Sequence, residues 1–186
     1  ESSSSSDSNE EQQEEESEQQ EAETGDSTDD EAETEEDEDV VEDVDSNDRD
    51  TALAYAEDYA DDSYMSKAAI KEYLVEYDGF TEETAQYAID NVSANWNENA
   101  KRTAEVYVNE MYASESYTRE SLVEDELFTQ DEASYAMSNI SADWNENALK
   151  SAQEYKDSEF TNDEIKECLS DDGFTDAQIQ YAMSRL

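Results

Sequence analysis

Catalysis near neutral pH usually needs a side chain that gains or loses a proton there, and this sequence is poor in such groups. Its 186 residues include no histidine and one cysteine, Cys168. The commonest general base is therefore missing, and a zinc site of the usual Cys/His kind cannot be built. Cys168 precedes Leu169 on an amphipathic stretch and reads as a small core hydrophobe rather than a nucleophile. Carboxylates are abundant, but none stands in an apolar setting that would raise one pKa above another, as paired acid–base work requires. Asp43, Asp45 and Asn47 imitate the first ligands of a calcium loop, yet Asp48 occupies the place of its glycine and Ala54 its twelfth position. No catalytic, metal or cofactor constellation emerges, and the expected class is a binding protein without turnover.

Charge narrows the partners. The chain carries 56 acidic and 10 basic residues, a net charge of -46. Nucleic-acid binding through phosphates needs clustered Lys and Arg, so the expected partner is a basic or neutral protein. No stretch approaches the roughly 20 apolar residues that span a bilayer. Residues 1–50 hold 25 acids against Arg49 alone and no aromatic residue, which predicts a disordered acidic tether rich in Ser and Glu. Mutual repulsion extends such a segment and makes it a spacer.

From residue 51 the sequence repeats itself. Phe80-Thr81 recurs as Phe128-Thr129 and Phe174-Thr175, at intervals of 48 and 46 residues. Ala56 and Tyr59 return as Ala104 and Tyr107, then as Ala152 and Tyr155, and Tyr87-Ala88 returns as Tyr135-Ala136 and Tyr181-Ala182. The run Ser93-Ala94-Asn95-Trp96-Asn97-Glu98-Asn99-Ala100 matches Ser141-Ala142-Asp143-Trp144-Asn145-Glu146-Asn147-Ala148 at seven of eight positions. These intervals divide the chain into repeats at 51–94, 95–142 and 143–186, the last ending before a third Trp motif.

Without proline, and with glycine only at 25, 79 and 173, helices can run wherever apolar residues recur at helical spacing. The fold class expected is all-α, with tandem three-helix units of helix-turn-helix type behind the acidic tail. The first helix of a unit starts near Trp96 or Trp144, with Asn95 or Asp143 as N-cap and Glu98 or Glu146 completing a capping box. Its buried stripe in the second unit is Ala100, Ala104, Tyr107 and Met111. The second helix follows Ser66, Ser114 or Thr161 and turns Ile70 and Leu74, Leu122, or Ile165 and Leu169 inward. It ends at Gly79 and Gly173, where a left-handed cap suits glycine. Leu127 stands at that position in the middle unit, which predicts a strained turn. The third helix is capped by Thr81, Thr129 or Thr175, with Glu132 and Gln178 completing boxes in two copies. It packs through Ala85, Ala88, Ile89 and Val92 and their counterparts Ala133, Ala136, Met137 and Ile140, then Ile179, Ala182, Met183 and Leu186.

Phe80, Phe128 and Phe174, with Trp96 and Trp144, are expected to be structural, the tryptophans clamping one unit to the next. Tyr87, Tyr135 and Tyr181, like Tyr59, Tyr107 and Tyr155, recur in register and are expected in or near the core; Tyr77 and Tyr117 have no such counterparts and are freer to bind. The candidate partner-binding residues are the acidic run of the middle unit, Glu120, Glu124, Asp125, Glu126 and Asp131, with a solvated helix face as the alternative reading.

Gly79-Phe80-Thr81, Ala85-Gln86-Tyr87-Ala88 and Ser141 through Ala148 resemble the Ltp family of host cell surface-exposed lipoproteins. The resemblance implies tandem units on the outer face of a Gram-positive membrane, anchored by a lipidated cysteine upstream of Glu1. It also implies superinfection exclusion for phage-encoded members, in which passage of another phage's DNA is blocked at the membrane. The expected function is therefore a membrane-anchored surface protein that captures a phage tail component, such as the tape measure protein. A host surface or wall-associated interaction module is the alternative, and an acidic mimic of DNA inside the cell is a third.

Overall fold

The structure, a computed structural model, describes the backbone of residues 42–186 and the side chains of residues 48–186. The tether expected over 1–50 therefore lies mostly outside the described residues, as do the side chains of Asp43, Asp45 and Asn47. Among the described residues there are nine helices and no strand. The first unit consists of α1 (Glu42–Asp61), α2 (Lys67–Glu76) and α3 (Glu82–Asn91); the second of α4 (Trp96–Asn109), α5 (Glu115–Glu124) and α6 (Gln130–Asn139); the third of α7 (Trp144–Asp157), α8 (Asn162–Asp171) and α9 (Asp176–Met183).

Helix α1 begins inside the stretch that composition assigns to the tether. Arg49 ties this helix to α3 through Glu83, 2.8 Å away.

The local signals place the other helix starts correctly. Ser66, Ser114 and Thr161 each accept the N–H three residues on, as do Thr81, Thr129 and Thr175. Glu132 and Gln178 complete capping boxes, and Glu164 adds a third at the start of α8. Asn95 and Asp143 also cap their helices. The capping boxes expected there do not form: neither Glu98 nor Glu146 accepts the N–H of its cap residue, and the carboxylate of Glu98 is drawn instead to Lys101 and Arg102, at 3.3 and 3.4 Å.

Each unit has its own core, and the most extensive packing lies between its first and third helices. Alanines make that approach close. Ala52, Ala56, Ala60, Ala85 and Ala88 surround Ile70 and Leu74 in the first unit. Ala100, Ala104, Ala133 and Ala136 surround Leu122 and Phe128 in the second, and Ala148, Ala152 and Ala182 surround Ile165, Leu169 and Phe174 in the third. Val92, Met137, Ile140, Ile179, Met183 and Leu186 flank these clusters half-buried. Phe80 packs against the first core without being fully enclosed.

Three expectations of burial need correction. Met111 is 52 % exposed, because α4 ends at Asn109 and the chain has already turned away. Tyr87 and Tyr135 are exposed at 37 % and 40 %, since they stand on the outer side of α3 and α6. Recurrence at these two positions marks an equivalent place in the unit rather than a buried one. The strain expected of Leu127 is present: its φ is 56°, where Gly79 and Gly173 have 77° and 82°.

Candidate protein-interaction surface

A tyrosine–carboxylate bond recurs inside every unit, between the first helix and the end of the second. The hydroxyl of Tyr59 donates to Asp78 at 3.0 Å, that of Tyr107 to Glu126 at 2.9 Å, and that of Tyr155 to Asp172 at 2.8 Å. Burial and the adjacent carboxylate raise the pKa of all three hydroxyls above the ordinary tyrosine value. They remain donors through the physiological range. Glu126, one of the acidic residues singled out by the sequence, is thus partly withdrawn into the unit's own structure.

The units are joined by carboxamides. Asn99, buried in the first turns of α4, donates to the carbonyls of Ala60 and Met65 at 2.8 and 3.2 Å. Asn147 repeats the arrangement one unit on, donating to Val108 and Ala113 at 3.0 and 3.1 Å. Thr103 and Ser151 add bonds to the carbonyls of Tyr64 and Tyr112, residues whose positive φ turns those loops toward the next unit. Trp96 rests half-buried against the first core, in keeping with a clamp, and Trp144 is half-buried at the equivalent place. The Trp motif thus carries a linker in both copies, the asparagine three residues after the tryptophan that sequence reasoning passed over, and in the first copy Trp96 adds an aromatic one.

The second junction is tied further. Ser114 and Ser116 donate to the carbonyls of Asp172 and Gly173 at 2.6 and 2.7 Å, and a cleft of about 250 Å³ between Tyr117, Ser151, Tyr155, Asp172 and Phe174 lies beside them.

The acidic run occupies the end of α5 and the start of α6. Glu120, Glu124 and Asp125 are exposed, Glu126 is half-buried, and Asp131 is exposed in the first turn of α6. Glu120 and Glu124 share one helix face, being four residues apart. Tyr77 is the most exposed of the large hydrophobic side chains at 74 %, and Tyr117 is 43 % exposed, so the tyrosines without counterparts do face solvent. Tyr181 is half-buried under the guanidinium of Arg185, 3.6 Å from its ring centroid.

Cys168 is half-buried beside the fully buried Leu169. Burial first, then the carboxylates of Asp172, Asp171 and Glu167, pushes its thiol up, which disfavours the nucleophilic thiolate. Among the described residues no group of three or more His, Cys, Asp or Glu side chains is placed to hold a metal ion, and no helix is long and apolar enough to cross a membrane. What the surface offers is carboxylates and half-exposed tyrosine rings, which suit a cationic or amphipathic protein partner.

No curated protein is similar to the chain. Among solved structures, Ltp, a superinfection exclusion protein from the Streptococcus thermophilus temperate phage TP-J34, is 32 % identical, and the match covers 50 % of this chain and 96 % of that one with a TM-score of 0.48. Residues 48–92, 95–140 and 143–186 each match the family of host cell surface-exposed lipoproteins, so that one match falls on each three-helix unit. Matched three times over, the chain belongs to the Ltp family of host cell surface-exposed lipoproteins.

Proposed function

We propose that this protein acts at the cell surface in superinfection exclusion, its helical units capturing a tail component of an incoming phage, such as the tape measure protein, so that phage DNA does not pass into the cell. The observation that carries this reading is the match of all three units to the surface lipoprotein family. The acidic, tyrosine-bearing surface supports it, because capture of a basic or neutral protein requires binding and no turnover. A lipid-bearing cysteine ahead of Glu1 would hold the protein on the outer face of a Gram-positive membrane, with the acidic segment as its tether.

Expression of the anchored protein in a host strain, followed by measurement of phage adsorption and of phage DNA passage for a broad panel, tests the reading. Adsorption should be unchanged while DNA passage falls for at least one phage. Unchanged DNA passage across the panel would move the protein to the other class, a host surface or wall-associated interaction module.

A further inference from the structure

The repeats allow one part of the molecule to report what another part can bind. In the first unit Glu83 and Tyr87 occupy the second and sixth positions of α3, on one helix face, and Arg49 of α1 is held between them. Its guanidinium nitrogen lies 2.8 Å from the Glu83 carboxylate, and its central carbon lies 5.5 Å from the centre of the Tyr87 ring. Carboxylate and ring together recognise the charge and the flat face of an arginine.

The second unit repeats the seat without its occupant. Asp131 and Tyr135 stand at the second and sixth positions of α6, both exposed. The position corresponding to Arg49, 48 residues on, is Asn97. Among the described residues no cation is placed against Asp131 or the Tyr135 ring, and the nearest turn of α6 offers Asn139, whose carboxamide is bonded to the Tyr135 carbonyl. The third unit departs in another way: Ala177 replaces the carboxylate, and the ring of Tyr181 is covered by Arg185 from its own helix end. Only the middle seat pairs a carboxylate with an uncovered ring.

We propose that Asp131 and Tyr135 form a binding seat for an arginine side chain presented by a partner protein. The occupant is argued from the filled seat of the first unit and from charge: residues 51–186 hold 31 acids and 9 bases, which favours approach of a cationic segment. The seat adds a contact chemistry to the exclusion reading without depending on it, because it takes an arginine from whichever protein presents one.

The test needs no phage. The full chain, with its tyrosines isotope-labelled, is titrated by NMR with acetyl-Gly-Arg-Gly-amide and with the same peptide carrying citrulline, at about 0.3 M salt to suppress general attraction. The Tyr135 ring signals should shift with the arginine peptide and not with citrulline, and Asp131→Asn should weaken the effect by about threefold. Asn97→Arg should fill the seat from within: the side-chain signals of the introduced arginine move upfield over the ring, and the peptide effect disappears. Tyr135 signals indifferent to the peptide, or shifts that survive Asp131→Asn and Asn97→Arg unchanged, overturn the proposal. Tyr135 shifts that grow with protein concentration in the absence of peptide also overturn it, by assigning the arginine to a second copy of this chain. A phage panel that shows no exclusion, beside a positive titration, would reject the functional reading and leave the seat intact.

Discussion

The hydroxyl of Tyr107 donates to the carboxylate of Glu126 across 2.9 Å, joining α4 to the end of α5. Both groups recur in the other units, as Tyr59 with Asp78 and Tyr155 with Asp172. The bond spans two helices that also meet through the Tyr107 and Tyr117 rings and through Leu122 packed against Ala100 and Ala104, and its acceptor is charged. Tyr107→Phe should therefore cost about 1 kcal/mol at about pH 8, less than is usual for a bond to a charged group because the site is partly open to water.

The same pair dictates an alkaline weakness. Burial and Glu126 raise the Tyr107 hydroxyl above its ordinary value, so the folded chain keeps that proton after the unfolded chain has lost it. Stabilisation from a raised tyrosine is complete below the unfolded value of about 10, and it declines by about 1.4 kcal/mol per pH unit as pH rises beyond it. The deficit of Tyr107→Phe should thus shrink above about pH 10 and vanish near about pH 11. Urea melts of both proteins across that range provide the check; a deficit constant with pH would show that the hydroxyl is not specially held.

The two left-handed glycines are not equivalent. A Cβ at Gly79 would meet nothing within 4 Å, so Gly79→Ala should cost only the backbone penalty, about 1 kcal/mol. At Gly173 the added carbon would collide with the Ser116 hydroxyl and come within 3.1 Å of that of Ser114, the two donors that tie the second unit to the third. Gly173→Ala should cost about twice as much, and hydrogen exchange should rise at the start of α5 and the end of α8. Equal losses for the two variants would show that this junction yields without resistance.

What could be read directly from the sequence was the part governed by neighbours along the chain. Thr81, Thr129 and Thr175 cap their helices because a hydroxyl and the N–H three residues on meet whatever surrounds them. Leu127 takes a positive φ because it stands where the flanking units have glycine. The rest depends on contacts between units or on the choice of helix face. Asn99 and Asn147 are polar residues in a helix start, and only the carbonyls of the preceding loop explain their burial. Met111 keeps the spacing of the α4 stripe yet falls beyond the helix end. Tyr135 repeats in register with Tyr87, and its value as a site lies in what the repeat lacks, an arginine at position 97. Of the acidic run, Asp131 joins a ring to make a specific feature, whereas Glu126 serves the fold.

The buried carboxamide of Asn147 donates to two carbonyl oxygens, and no other amino acid of its size can do so while remaining neutral. Asn147→Ala should lose about 2 kcal/mol, leaving the carbonyls of Val108 and Ala113 short of a donor. Asn147→Asp should lose more at neutral pH, since it sets a carboxylate against the same two oxygens. Repulsion and burial raise the pKa of that carboxyl in the folded state, so its stabilisation is lost as pH rises past the ordinary value near about 4 and regained on acidification. Thermal melts at about pH 4 and pH 7 separate the cases: the gap between the two variants should narrow at the lower pH, and a gap that stays constant would mean the carboxylate escapes to water.

Charge repulsion should make this fold more stable in salt, contrary to proteins held by surface ion pairs. The repeats carry 31 acids and 9 bases, and most ion pairs among the described residues, such as Lys166 with Asp163 and Arg119 with Glu115, join neighbours on one helix, while Arg49 with Glu83 and Lys71 with Glu82 cross between helices at the surface. Such pairs contribute little, so screening them costs little, while screening the repulsion removes a penalty that acts on the whole body. The Debye length falls from about 30 Å at about 0.01 M to below about 10 Å above 0.1 M, shorter than the span of one unit. The melting temperature should therefore climb by about 5 °C between about 0.01 M and about 0.5 M sodium chloride, since about 1 kcal/mol shifts a domain of this size by several degrees. Calorimetry on the chain at both salts decides it: a falling melting temperature would mean that the ion pairs outweigh the net charge.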